Sequence, residues 1–361
     1  MDRPEKYGLK RAPIPYYGGV AIYLAFLISL IIFVPFDVRV IGLFVGGTLI
    51  FLLGFFDDKF SLSPFLRLFV QFLAALILVF FGIGVLSIKL PFLGNIDFTS
   101  IKIAFSVFDF EMIVYLFGAI FTVVWVLAII NAMNFVDGIS GLNSGVSAIA
   151  FFVIFLLSIH PGIHENPAGQ FSVATIALIL SALALAFFLF DFHPPKILMG
   201  DSGSTFFGFM VATLAIFSGG KVATAFLVLG LPILDMVWVV FRRILSGQSF
   251  WRGDLKHLHH RLLNAGLSEK MAVLFYLFVV AVFGFTAVSF VSADQKFFII
   301  IGLFILMLLL GSALIFLPKI KEKRNSKVKG FFIFSFLVFV LNLEYKAHGF
   351  FKNLWEILFL T

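Results

Sequence analysis

The feature that most limits what this chain can become is its succession of long stretches without a formal charge. Val40 to Phe56 contains none, and uncharged or nearly uncharged runs fall at about 17 to 34, 66 to 86, 112 to 130, 143 to 159, 171 to 190, 205 to 218, 222 to 241, 271 to 291 and 297 to 317. A helix needs roughly 17–25 apolar residues to cross a bilayer, so these are ten candidate spans, the stretch 205 to 218 being the shortest. Uniform apolar runs do not alternate as barrel strands do, so every span is expected to be a helix. The chain is 61% hydrophobic and 12% charged, with mean hydropathy +1.12. A soluble globule, about 45–50% apolar, is thereby excluded. The expected fold is all-α, a polytopic bundle of about ten transmembrane helices.

The polar ends assign the sides. Residues 1 to 16 are basic and proline-rich, neither a signal peptide nor a span. If they lie on side one, the alternating loops place 19 Lys and Arg on that side and 5 on the other. That bias puts side one in the cytoplasm, and it also accounts for the net charge of +7 without nucleic acid. Cysteine is absent, so no thiol chemistry is available. Residues 1–318 are read as one membrane domain, and 319–361 as a basic linker with an apolar tail of unassigned role.

Four polar stretches emerge on side one. The first is Asp57-Asp58, directly after the Val40 to Phe56 run. One carboxylate at the bilayer centre costs about 2.5–3.5 kcal/mol, so this pair belongs at the membrane face or in a watered cavity. Adjacent negative charges call for a raised pKa, a basic partner or a divalent cation. The pair reads either as half of a metal and phosphate site or as solvated acids ending a span.

In the second stretch, Asn131, Asn134 and Asp137 recur every third residue, near one helical face, with Gly138 and Gly141 following. Amides and a carboxylate can grip a base or sugar hydroxyls, or can simply end a helix. The third runs from Asp191 through His193-Pro194-Pro195-Lys196 to Gly200-Asp201-Ser202-Gly203-Ser204. The prolines break one helix and the small residues open another, whose free N–H groups suit an anion. Asp201 could cap that helix or hold a cation beside the anion.

The fourth is the longest loop, from Arg242 through Trp251, Arg252 and Asp254 to His257-Leu258-His259-His260-Arg261. Read as a helix, it puts His257 and His260 on one face and His259 elsewhere, which argues against a single structural zinc site. Imidazoles beside Arg252, Lys256 and Arg261 suit phosphates; a solvated basic loop is the plainer alternative. Asp235 stands apart, inside the run 222 to 241. At ~1.5 Å per residue it lies about 10 Å below Arg242, deep enough to require a partner on a neighbouring helix or a place in the same cavity. Carboxylates for a cation, amides and glycines for a nucleotide, and cations for phosphates together describe phosphoryl transfer.

In order and spacing, DDKFSLSPFLRLFVQ, NAMNFVDG, HPPKILMGDSGS and PILDMVWVVFRRILSGQSFWRGDLKHLHHRL resemble the polyprenyl-phosphate N-acetylhexosamine-1-phosphate transferases of glycosyltransferase family 4. The HLHHRL ending is similar to the branch that uses undecaprenyl phosphate and GlcNAc-1-phosphate to begin envelope polysaccharides. The likeness covers about residues 11 to 317. It implies that Asp57 and Asp58 serve the lipid phosphate and the metal, and that Asp201 is the principal Mg²⁺ ligand, with Mn²⁺ as the alternative ion. Asn131, Asn134 and Asp137 would line the nucleotide-sugar site, and His257, His259, His260 and Arg261 would bind its diphosphate and sugar.

The implied reaction joins undecaprenyl phosphate to the sugar-1-phosphate of a UDP-N-acetylhexosamine and releases UMP. The implied location is the inner cell membrane, in contact with membrane lipid, with the active site on the cytoplasmic face; a homodimer is among the assemblies the family allows. Three features depart from the family pattern: an expected first span does not precede residue 17, Ser140 stands where a second Asp is common, and Tyr16 and Tyr17 precede the glycines where Arg is common. The reading from another class is a transporter or flippase of lipid-linked or nucleotide sugars. Its binding site would be expected near the midplane of two repeated halves, and no internal repeat is found.

Overall fold

The computed structural model describes residues 13–90, 94–107, 110–160, 170–217, 222–247, 257–289, 295, 297–306 and 309. The tail 319–361 and the Trp251 to Lys256 part of the long loop lie outside these. The chain divides into a unit Met1–Met307 and a second, Leu308–Thr361; everything below concerns the first.

The apolar runs become helices. They are α1 (Gly18–Phe33), α2 (Val38–Phe60), α3 (Pro64–Phe80), α4 (Leu116–Val136), α5 (Leu142–Ile159), α6 (Phe171–Asp191), α7 (Gly200–Phe217), α8 (Val222–Val228), α9 (Gly230–Leu245), the short α10 (Leu258–Asn264) and α11 (Glu269–Ser289). A further apolar helix, α12, covers Phe297–Leu306. Among the described residues, five of these (α2, α4, α5, α6 and α11) are long and apolar enough to cross a membrane, while α1, α3 and α12 are shorter apolar helices. The run 222 to 241 is divided at Leu229. Pro232 has no N–H to give to Val228, and its ring crowds that carbonyl.

The all-α expectation needs one correction. Between α3 and α4 the chain forms two antiparallel hairpins, β1 (Ser87–Leu90) with β2 (Gly94–Asp97), and β3 (Lys102–Val107) with β4 (Phe110–Tyr115). Lys102 pairs with Tyr115 and Val107 with Phe110. Residues 112 to 115, read as the start of a span, therefore belong to a strand, and α4 begins at Leu116. The reason is alternation: Phe110-Glu111-Met112 and Lys102-Ile103-Ala104 carry a two-residue period at the edge of a run whose average is apolar.

At the centre lies α7. From Ser202 to Ile216 every residue is buried, and the helix packs against α1, α2 and α4 along its length. Gly46 faces the Phe209 ring and Gly208 the α4 backbone at Ile130, so small residues set the close approach. Trp125 of α4 donates its indole N–H to the Ala212 carbonyl at 3.1 Å. This central helix begins with Gly200-Asp201, so the packing that makes the bundle also fixes Asp201.

Candidate active site

The turn that ends α2 is written in the sequence Ser61-Leu62-Ser63-Pro64. Ser61 adopts the left-handed region, with φ 52°, and its N–H reaches the Asp57 carbonyl at 2.8 Å. Ser63 then caps α3, accepting from the Leu66 N–H at 3.3 Å, with Pro64 at the first helical position. This reversal brings Arg67 back over Asp57. The buried Asp57 carboxylate accepts from the Leu62 N–H on one oxygen (2.7 Å) and from Arg67 Nη1 on the other (3.0 Å). Of the remedies for adjacent acids, Asp57 has a basic partner.

Asp58 has a different one. Its Oδ1 accepts from the Asp201 N–H at 2.7 Å, and its Oδ2 from the Ser202 N–H at 3.1 Å and the Ser202 hydroxyl at 2.8 Å. The N-terminus of α7, expected to offer free N–H groups to an anion, is thus capped by an internal anion from another helix, and Asp201 is not its own helix's cap. Gly200 makes this possible. Its φ is +72°, and a Cβ there would lie 2.6 Å from Asp58 Oδ2. The segment before α7 is held on its other side by the chain's beginning: the Gly18 and Gly19 N–H groups donate to the Leu198 and Met199 carbonyls, each at 2.9 Å.

Asp201, half-buried in the first turn of α7, has its carboxyl close to that of Asp57. Its Oδ1 also accepts from the Asn134 amide at 2.7 Å, and the same amide nitrogen reaches the Ser204 hydroxyl at 3.2 Å. Asp137 follows at the end of α4. Loss of water, and then the charges of Asp191, Asp201 and Asp58, push its carboxyl well above the ordinary carboxylate range. Asp57, Asp58, Asp137 and Asp201 therefore converge from three helices. Asn131 sits a turn deeper. Its amide donates to Gln71 of α3 at 2.8 Å and to the Leu127 carbonyl at 2.7 Å, so it ties α4 to α3.

The histidine segment packs against the same end of α4, but not as a continuous helix. His257 is extended at the N-cap, with φ −61° and ψ 158°, and α10 starts at Leu258. The expectation that His257 and His260 share a face is therefore corrected: the rings in register are His257 and His259, 5.7 Å apart and within 5° of parallel. The His260 ring lies 4.3 Å from that of His259, and His260 and Arg261 keep partial exposure. His257 meets the Phe135 ring at 5.2 Å. His259 is 1% exposed, and its imidazole edge lies against Gly138, where a Cβ would run into Nε2. Neither ring nitrogen of His259 has a hydrogen-bond partner. Burial, then the neighbouring His260 and His257, hold its pKa well below the ordinary imidazole value.

Four contributors were not singled out as site residues. Arg67 had a signal, since a cation ten positions after Asp57 is the basic partner such a pair requires. Gln71 and Ser202 had none short of the fold. Asp191, buried at the end of α6, accepts from the Gly141 N–H and the Ser144 hydroxyl, each at 2.9 Å, and so holds the Gly138 to Gly141 turn in place.

The donor set at Asp201 is all oxygen and acidic, the chemistry of a hard divalent cation. Among the described residues no three acids or histidines enclose an ion by themselves. Mg²⁺ usually takes one or two carboxylates and completes its octahedron with water and substrate phosphate.

Known proteins resemble this chain over most of its length. The profile of glycosyl transferase family 4 matches residues 40–219. A probable undecaprenyl-phosphate N-acetylglucosaminyl 1-phosphate transferase of Bacillus subtilis (strain 168) is 30% identical, over 92% of this chain and 87% of its own. The decaprenyl-phosphate N-acetylglucosaminephosphotransferase of Mycobacterium leprae (strain TN) is 30% identical over 79% and 75%. The undecaprenyl-phosphate alpha-N-acetylglucosaminyl 1-phosphate transferase of Escherichia coli (strain K12) is 30% identical over 75% and 71%.

Proposed function

The chain belongs to glycosyl transferase family 4, and from that premise we propose that it transfers GlcNAc-1-phosphate from UDP-GlcNAc to undecaprenyl phosphate. A phosphate oxygen of the lipid attacks the β-phosphorus of the nucleotide sugar, the bond to the α-phosphate oxygen breaks, and UMP leaves. The observation that carries this reading is the meeting of Asp57, Asp58, Asp137 and Asp201 beside a histidine–arginine segment, in a membrane bundle. Acids alone would repel both substrates; acids beside cations can hold a divalent ion and its phosphates.

Asp201, with Asp137 and Asp57 nearby, would hold Mg²⁺, which when bound neutralises charge on the phosphates. Asp58 sets the position of Asp201 by capping α7. Its oxygens already accept three hydrogen bonds, which commits it to that place. The lipid phosphate, largely ionised at neutral pH, then attacks without a protein base. His259, His260 and Arg261 face the diphosphate and sugar, and Asn134 fixes the near side of Asp201. The excess of Lys and Arg on one set of loops supports an inner-membrane protein of about ten spans, with this site at the cytoplasmic face.

Purified protein given UDP-GlcNAc, undecaprenyl phosphate and Mg²⁺ tests the reading. UMP release that requires the lipid is expected. Release without lipid would mean hydrolysis, and no release with uptake of label into vesicles would mean transport; either overturns it.

A further inference from the structure

Asp235 is a buried acid that the reaction above does not use. It lies in α9 with 5% exposure, and both its oxygens are committed to consecutive residues of the histidine segment. Oδ2 lies 3.0 Å from His257 Nδ1, and Oδ1 accepts from the Leu258 N–H at 2.9 Å. The first bond orients the imidazole; the second ties down the first backbone N–H of α10, whose N-cap His257 makes no side-chain cap bond of its own. One carboxylate thus fixes where α10 begins and which way its first ring faces.

The contacts continue inward. His257 lies against Phe135 at 5.2 Å and parallel to His259 at 5.7 Å, and His259 abuts Gly138, next to Asp137. Among the described residues His259 makes no hydrogen bond that would hold its ring, so its placement depends on packing against His257, His260 and Gly138. A side chain whose own nitrogens are unanchored needs a neighbour that is anchored.

We infer that Asp235 is a positioning residue for the nucleotide-sugar half of the site: through His257 it holds α10 so that His259, His260 and Arg261 meet the diphosphate and sugar of the donor. This rests on the transferase reading. It assigns to His257 the part of a fixed spacer between Asp235 and His259, with Nδ1–H donated to the acid, and reserves direct donor contact for the residues after it. Because Asp235 reaches none of the Asp57, Asp58 and Asp201 cluster, its loss should weaken the donor and spare the lipid.

The test is steady-state kinetics on the purified full chain, with UDP-GlcNAc and undecaprenyl phosphate varied separately, for wild type, Asp235→Ala, Asp235→Asn, His257→Ala and the double variant Asp235→Ala/His257→Ala. Asp235→Ala should raise KM for UDP-GlcNAc about 10-fold or more, leaving KM for the lipid within about 2-fold. Asp235→Asn, which keeps an acceptor for Leu258, should recover part of the loss. The double variant should lose less than the sum of the two single losses, since the two residues share the Asp235–His257 contact. Additive effects, equal changes in both KM values, or a fall in kcat alone would overturn the inference. Should Asp235→Ala not fold, a wild-type donor KM in Asp235→Asn overturns it equally. Wild type without lipid-dependent UMP release would instead remove the transferase reading, a result separate from any of these.

Discussion

The acid cluster and the histidine segment are built in opposite ways, although they meet at the end of one helix. Around Asp57 and Asp58 every carboxylate oxygen has a partner: the Leu62 N–H and Arg67 from the turn just after them, and the α7 backbone from far along the chain. In the histidine segment the central ring, His259, is more deeply buried and, among the described residues, has no polar partner. An unsatisfied buried polar group costs roughly 1–3 kcal/mol, so the difference has an energetic meaning. The acids are held by the fold itself. His259 is left in debt, and a donor's phosphate or sugar hydroxyl would relieve it.

The contrast can be broken at several points. The largest effect is expected at the acids, where Asp57→Ala, Asp58→Ala and Asp201→Ala should each lower turnover at least about 100-fold, the size seen for groups that stabilise charge in phosphoryl transfer. Near-wild-type turnover in all three would end the proposed mechanism. Stability should separate them: Asp58→Ala leaves the α7 N–H groups unsatisfied and should cost about 1–3 kcal/mol, whereas Asp201→Ala removes an acid from a crowd of acids and should cost little. Equal melting temperatures for the two variants would mean that Asp58 is not the cap described.

His259→Gln comes next. It should raise KM for UDP-GlcNAc by about 10-fold without lowering stability at neutral pH, because the imidazole has no native bond to lose. A large loss of stability would place His259 with the acids as a structural group.

The smallest effect is one of pH. Burial keeps His259 neutral in the folded chain, while the unfolded chain takes up that proton below about pH 6.5. Stability from this residue is therefore present above about pH 6.5 and is lost as pH falls below it. Asp137, whose carboxyl is pushed up by burial and neighbouring acids, works in the other direction, so the measurement is the difference between wild type and His259→Gln. Wild type should lose more melting temperature between pH 7 and pH 5 than the variant does; parallel curves would mean that the ring is hydrated.

Much of this could be read from the chain alone, because it rests on one-dimensional signals. Uncharged runs located the helices, and the small residues from Gly200 to Ser204 marked a helix start. What escaped depends on pairing across many residues. No local pattern says that Asp58 caps a helix beginning at Gly200, or that Asp235 meets His257. The spacing of His257 and His260 misled, because it assumes a helix through residue 257 when that residue is extended and only the next one is helical. The hairpins between α3 and α4 escaped because their alternation is short and sits beside a long apolar run that dominates any average.

The burial of α7 has a consequence for the surroundings in which the protein works. From Ser202 to Ile216 it is sheathed by its own neighbours, so fatty acyl chains do not touch the helix that carries Asp201. Stretching or thinning the bilayer tilts and bends the outer helices first. Changes of acyl length should accordingly reach the reacting phosphates only after passing through that sheath, much as a mast stepped on the keel feels little of what strains the planking.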